Sequence, residues 1–145
     1  MDEAIRYAQL LERTRPHLFD WPEALAYVLV VQNRLAEAKG YLSQVPADNY
    51  NRMVNEAAIL SRTGKRDQVP GILLRMRELY GDAASYQYGQ VHAQSGNIDE
   101  AFAALNRAWE IRDSGLLRLK TDPYLDPLRG DPRYAQLVRK LNFPA

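Results

Sequence analysis

Three aspartates that each precede a proline, Asp122, Asp126 and Asp131, form the densest grouping of chemistry-bearing side chains in this sequence. By count alone they suggest a cation site, since carboxylate oxygens are the usual ligands of hard cations. The prolines argue for other work. Aspartate is a preferred N-cap, and proline suits the first helical position, where its missing N–H has no partner to lose. Capping accounts for all three, and no metal is expected. His17 and His92 have no nucleophile or second ligand at a workable spacing; His92 stands at a core position and reads as a packed, hydrogen-bonded histidine. Arg129-Gly130-Asp131 reads as a helix start rather than an adhesive tripeptide. The chain has no cysteine, which excludes a disulfide framework, a thiolate zinc site and a cysteine nucleophile. No phosphate loop, HExxH, GxSxG or GxGxxG occurs. No catalytic residue and no cofactor is expected, and the chain does not read as an enzyme.

With catalysis set aside, the question becomes which elements the sequence builds. Its 145 residues suit one domain, and 46% hydrophobic with 26% charged residues is globular composition. Nineteen basic and eighteen acidic side chains leave a net charge of +1. No global field draws the chain to nucleic acid or a membrane surface. The longest apolar run, Leu25 to Val31, is far short of the roughly 20 residues that a span needs. The start, MDEAIRYAQLLER, lacks the apolar core of a signal peptide. Membrane insertion is not expected. The expected compartment is the cytoplasm, or the periplasm if the chain belongs to a longer anchored one.

The sequence repeats. Ala26, Ala57 and Gly89 come into register at intervals of 31 and 32 residues, as do Leu29, Leu60 and His92. Turn residues follow in each copy at Asn33, Gly64 and Gly96, then Ala38, Val69 and Ala101, then Leu42, Leu73 and Leu105, then Val45, Met76 and Ala108. Apolar positions three or four apart make each half an amphipathic helix, and the Asn or Gly between halves takes positive φ cheaply. Small residues at the 26/57/89 and 38/69/101 places let paired helices approach closely. Asp20 with Glu23, Asp48 or Asn49, Asp67, Asp82 and Asn97 supply candidate caps, and Pro22 and Pro70 fall in first turns.

These residues resemble the tetratricopeptide repeat, a helix-turn-helix unit of about 34 residues. The clearest copy runs from Tyr86 to Ile111, with Tyr88, Gly89, Gly96, Ala101, Leu105 and Ala108 at the family's places. The copy from Leu25 to Val45 matches well; the middle copy departs at Glu56 and Val69. The resemblance implies an all-α fold, a right-handed α-solenoid of antiparallel helix pairs with a C-terminal capping helix. It forms one domain over residues 1–145, with pairs at 20–46, 49–80 and 82–112.

Residues 2–14 align with the second helix of a pair: Ala4, Ala8 and Leu11 precede Ala38, Leu42 and Val45 by 34 positions each. Such a half-repeat exposes the face its partner would cover. It implies either a longer parent array or a lone helix that caps the stack or makes a homodimer contact. Residues 113–145 predict short turns near Leu116–Lys120 and Pro127, then a final helix from Pro132 to about Leu141. This stretch, LKTDPYLDPLRGDPRYAQLVRKL, is similar to the ends of tetratricopeptide arrays in bacterial multidomain regulatory and signalling proteins.

In that family the first helix of each pair lines the concave face. Carried across by alignment, the lining positions are Glu23 and Tyr27, then Asn51, Asn55, Ala58 and Arg62, then Tyr86, Gln87, Gln90 and Gln94. Amides and tyrosines can hydrogen-bond a peptide backbone and pack its side chains. The implied partner is a protein or peptide, held as an extended segment or helix. The basic clamp used for acidic C-termini is missing, because Arg62 is the one cation in the set. Self-association through residues 2–14 is the alternative.

Overall fold

In a computed structural model, residues 2–14 and 21–142 are described. Among them are eight α-helices, four 3-10 turns and no strand. The helices are α1 (Asp2–Thr14), α2 (Trp21–Val31), α3 (Leu35–Leu42), α4 (Tyr50–Arg62), α5 (Val69–Tyr80), α6 (Ser85–Ser95), α7 (Ile98–Glu110) and α8 (Pro132–Leu141). The chain is all-helical. The segments 20–46, 49–80 and 82–112 hold α2 with α3, α4 with α5, and α6 with α7.

Each pair folds back at a residue of positive φ: Asn33 at 61°, Gly64 at 77° and Gly96 at 81°. There the left-handed backbone closes the first helix, and the N–H groups just past the turn (Arg34, Lys65 and Asn97) donate to its last free carbonyls, those of Leu29, Leu60 and His92. The residues in register become the core. Ala26, Ala57, Ala38, Ala101, Met76, Leu105 and Ala108 are fully buried. The turn positions Asn33, Gly64 and Gly96 are exposed, and Leu60 is the one half-exposed apolar position of the set. A Cβ on Gly89 would lie 2.7 Å from Leu105 Cδ2, so α6 and α7 meet too closely for a methyl group.

The first helices of the pairs stand side by side, α2 on α4 and α4 on α6. Two apolar clusters result, and α6 belongs to both. Tyr88 and Val91 join α2, α4 and α5; Tyr86 and Ala93 join α7, α8 and the C-terminal turns. Helix α1 packs on α2, burying Ile5, and Gln9 donates to the Tyr41 hydroxyl on α3 at 3.0 Å.

Several caps differ from expectation. Asn49 caps α4, accepting from the Arg52 amide at 2.9 Å. Asp67 and Asp82 instead sit within 3-10 turns ahead of α5 and α6. The Tyr86 amide, in the first turn of α6, is bonded from a distance by Asp113 at 3.1 Å. Asp20 and His17 lie outside the described residues. Glu23, expected to serve a capping box with Asp20, receives the side-chain amides of Asn49 and Asn51 from α4 and its N-cap.

Candidate functional site

Of the three Asp-Pro aspartates, Asp122 and Asp131 cap the elements they precede, accepting from the amides of Tyr124 at 3.0 Å and Arg133 at 2.9 Å. Asp126 departs from that pattern. It lies inside the 3-10 turn Pro123–Leu128, and its carboxylate pairs with Arg129 at 2.6 Å.

That turn occupies the face shared by α2, α4 and α6. It packs along α6, and its Tyr124 reaches Asn55 on α4 and Tyr27 on α2. Leu119, Tyr124, Leu125 and Leu128 are wholly excluded from solvent. These side chains anchor the turn, because burying each one stabilises by about 1.5–3 kcal/mol.

At the centre is Asp122, 3% exposed. Its Oδ1 accepts from the Tyr27 hydroxyl at 2.9 Å and the Tyr124 amide at 3.0 Å. Its Oδ2 accepts from the Tyr86 hydroxyl and from Gln90 Nε2, both at 2.7 Å. Four donors surround a carboxylate that no described cation pairs with directly. Tyr27 and Gln90 hold the same place in the first and third copies, so equivalent positions on two helices reach Asp122. The tyrosine hydroxyls pay for this neighbourhood in acidity. Burial first, and the Asp122 charge second, drive the phenols of Tyr27 and Tyr86 far above the ordinary tyrosine range. Burial does the same to Tyr124.

Tyr124 completes the contact. Its hydroxyl donates to Asn55 Oδ1, its carbonyl accepts from Gln94 Nε2 at 2.9 Å, and its ring lies 4.8 Å from that of Tyr27 at a tilt of 56°. Arg62 in turn donates to Gln94 Oε1 at 2.9 Å and to the Val30 carbonyl.

Of the ten positions taken as lining by alignment, contacts around Asp122 and Tyr124 link Glu23, Tyr27, Asn51, Asn55, Arg62, Tyr86, Gln90 and Gln94, whereas none places Ala58 or Gln87 there. Asn55, Ala58, Tyr86, Gln87 and Gln90 are buried. Glu23, Tyr27, Asn51 and Gln94 are half-buried, and Arg62 is exposed. The sequence pattern alone predicts an uncovered face and a purely capping role for Asp122, whereas the turn covers part of that face and Asp122 binds three side chains on it. The pattern also misses Tyr124, Arg118, whose guanidinium lies 5.6 Å over the Tyr86 ring, and Gly115, where a Cβ would lie 2.5 Å from Tyr86 Cγ. A usable signal existed: Leu119, Tyr124, Leu125 and Leu128 are too apolar for a solvated tail.

His92 is buried as expected, but its Nδ1 has no hydrogen-bond partner. Burial lowers its pKa, against a smaller raising effect from Glu100, so the ring is neutral near pH 7. No group of three or more potential metal-ligating side chains occurs among the described residues. No described helix is long and apolar enough to cross a membrane. Compared with protein-family models, curated proteins and solved structures, the chain matches none.

Proposed function

We propose that this chain is a protein-interaction module of the tetratricopeptide kind, which holds a peptide or helix of a partner on the face shared by α2, α4 and α6. One observation carries the reading: that face already holds a peptide, the chain's own Asp122–Leu128. It holds it through the chemistry a peptide groove uses. A side-chain amide (Gln94) meets a main-chain carbonyl, tyrosine and glutamine donors meet a carboxylate, and an aromatic ring meets another ring. The internal segment covers the α6 end, so the partner's place is the open end at Glu23, Tyr27 and Asn51. On the resemblance of its C-terminal stretch, the module belongs to a bacterial regulatory or signalling protein.

The test is to block the open end without touching the Asp122 contacts. Ala24, half-exposed on α2, lines that end. Ala24→Trp is expected to abolish binding of peptides selected from a random display library and to leave helicity and melting unchanged. Undiminished binding by a folded Ala24→Trp chain would overturn the reading.

A second reading is favoured by α1, whose Tyr7 and Leu10 are 66% and 55% exposed. Self-association through this helix predicts a dimer in light scattering that Tyr7→Ser with Leu10→Ser converts to monomer. A wild-type chain that stays monomeric at high concentration counts against it.

A further inference from the structure

The end of the groove that the internal segment leaves open is a cavity of about 270 Å³, lined by Tyr27, Val28, Val54 and Tyr124, with Glu23 and Arg118 also at its surface. Its walls are apolar and aromatic: the tilted Tyr27 and Tyr124 rings on one side, Val28 and Val54 beside them. That volume admits one long side chain with a few waters.

The two carboxylates in and behind these walls have no direct ion-pair partner among the described residues. Glu23 receives two amide groups, from Asn49 at 3.1 Å and from Asn51, and no described cation pairs with it. Asp122 lies behind the rings, its carboxylate bonded only to uncharged donors. Gln90, also lining the cavity, has an Oε1 with no donor. The guanidinium lining the cavity is that of exposed Arg118, which is stacked on Tyr86, while Arg62 lies farther along the face, near enough for its charge to reach Tyr124. Arg129 pairs with Asp126 and also donates to the Asp122 carbonyl at 3.3 Å, leaving the Asp122 carboxylate to its uncharged donors. An acidic head placed at Glu23 would meet repulsion from a carboxylate that holds only amides. A lysine or arginine stem would lie on the aromatic and aliphatic walls while its head reached Glu23.

We infer that this cavity is the specificity pocket of the groove and takes a lysine or arginine side chain of the partner. The inference rests on the peptide-groove reading and adds the sign of the ligand's charge, opposite to the acidic tails that a basic clamp would hold.

The experiment uses Ser/Gly nonapeptides bearing one central Lys, Arg, Gln or Glu, titrated into the whole chain and followed by amide chemical shifts. The Lys and Arg probes are expected to shift Tyr27, Val28, Asn51 and Tyr124, and the Gln and Glu probes to bind more weakly. Glu23→Gln should weaken the Lys probe about fivefold, the upper range for an ion pair open to solvent. Arg118→Gln should strengthen it. Opposite responses from two substitutions in one cavity exclude a general loss of folding as the cause. Equal binding of the Gln probe, or preference for Glu, would overturn the inference. Library-selected peptides that Ala24→Trp blocks, but that place no basic residue in the cavity, would overturn it too and leave the groove reading standing. A library from which no blockable peptide emerges would sink both.

Discussion

Asp122→Ala is expected to destabilise the fold by about 3–5 kcal/mol, the range for breaking a buried, charge-assisted network. For a chain of this length, that lowers the melting temperature by about 10–20 °C. The substitution removes the acceptor for the Tyr86 and Tyr27 hydroxyls, the Gln90 amide and the Tyr124 main-chain amide. Tyr86 and Gln90 have no route to water, being 0% and 3% exposed. An unsatisfied buried donor costs about 1–3 kcal/mol, so two or three of them outweigh the relief of no longer burying a charge. The loss also falls at a junction. Tyr124 belongs to the apolar cluster of α2, α4 and α5, whereas the adjacent Leu125 belongs to that of α7 and α8. Detaching the turn therefore loosens both.

Asparagine separates the charge from the hydrogen bonds. In Asp122→Asn the new amide can face Gln90 if that side chain turns over and presents its Oε1, the atom that now has no donor. The Tyr86 hydroxyl can rotate to accept. The expected cost is about 1–2 kcal/mol, clearly below that of alanine. Thermal or urea unfolding monitored by circular dichroism checks both values. An alanine variant within about 1 kcal/mol of wild type would mean that the turn is held by its leucines alone.

How much of this was legible in the sequence depends on the range of the interaction. The pairing of α6 with α7 was legible, because Gly89, Gly96, Ala101 and Leu105 state it within 17 residues, through a helical period and one residue that tolerates positive φ. So was α8: Asp131-Pro132 announces its start, and Tyr134 and Leu137 give its buried stripe. Tyr27 and Gln90 could be placed together because repeat register makes them equivalent, and both reach Asp122. What covers their face was not legible. The decisive contacts join Asp122 to Tyr27 across 95 positions and Tyr124 to Asn55 across 69. A 3-10 turn of six residues, two of them proline, carries no periodicity from which its buried side could be read. Gly115 shows the same limit. Nothing near it in the chain signals that Tyr86 leaves no room for a side chain there.

The same network makes stability fall steeply in alkali. An ordinary tyrosine ionises near pH 10, and the unfolded chain's tyrosines follow that value. In the folded chain, burial and the Asp122 charge hold the Tyr86 phenol protonated well beyond it, and burial holds Tyr124 likewise. A folded pKa above the unfolded one makes a contribution that is complete below about pH 10 and lost as pH rises toward the folded value. Each such tyrosine lowers the unfolding free energy by about 1.4 kcal/mol per pH unit in that window. Tyr86 and Tyr124 are both fully buried, so the slope approaches about 2.7 kcal/mol per unit. Half-buried Tyr27 adds less, because solvent screens it. Against a net stability of about 5–15 kcal/mol, the chain should lose its helices within a few pH units above 10. Tyrosinate absorbance from these residues should then appear together with helix loss. Tyr86→Phe should flatten the slope by about 1.4 kcal/mol per unit, although it lowers stability at neutral pH by removing one donor from Asp122. An unchanged slope in Tyr86→Phe would show that Tyr86 is not held protonated by the folded chain.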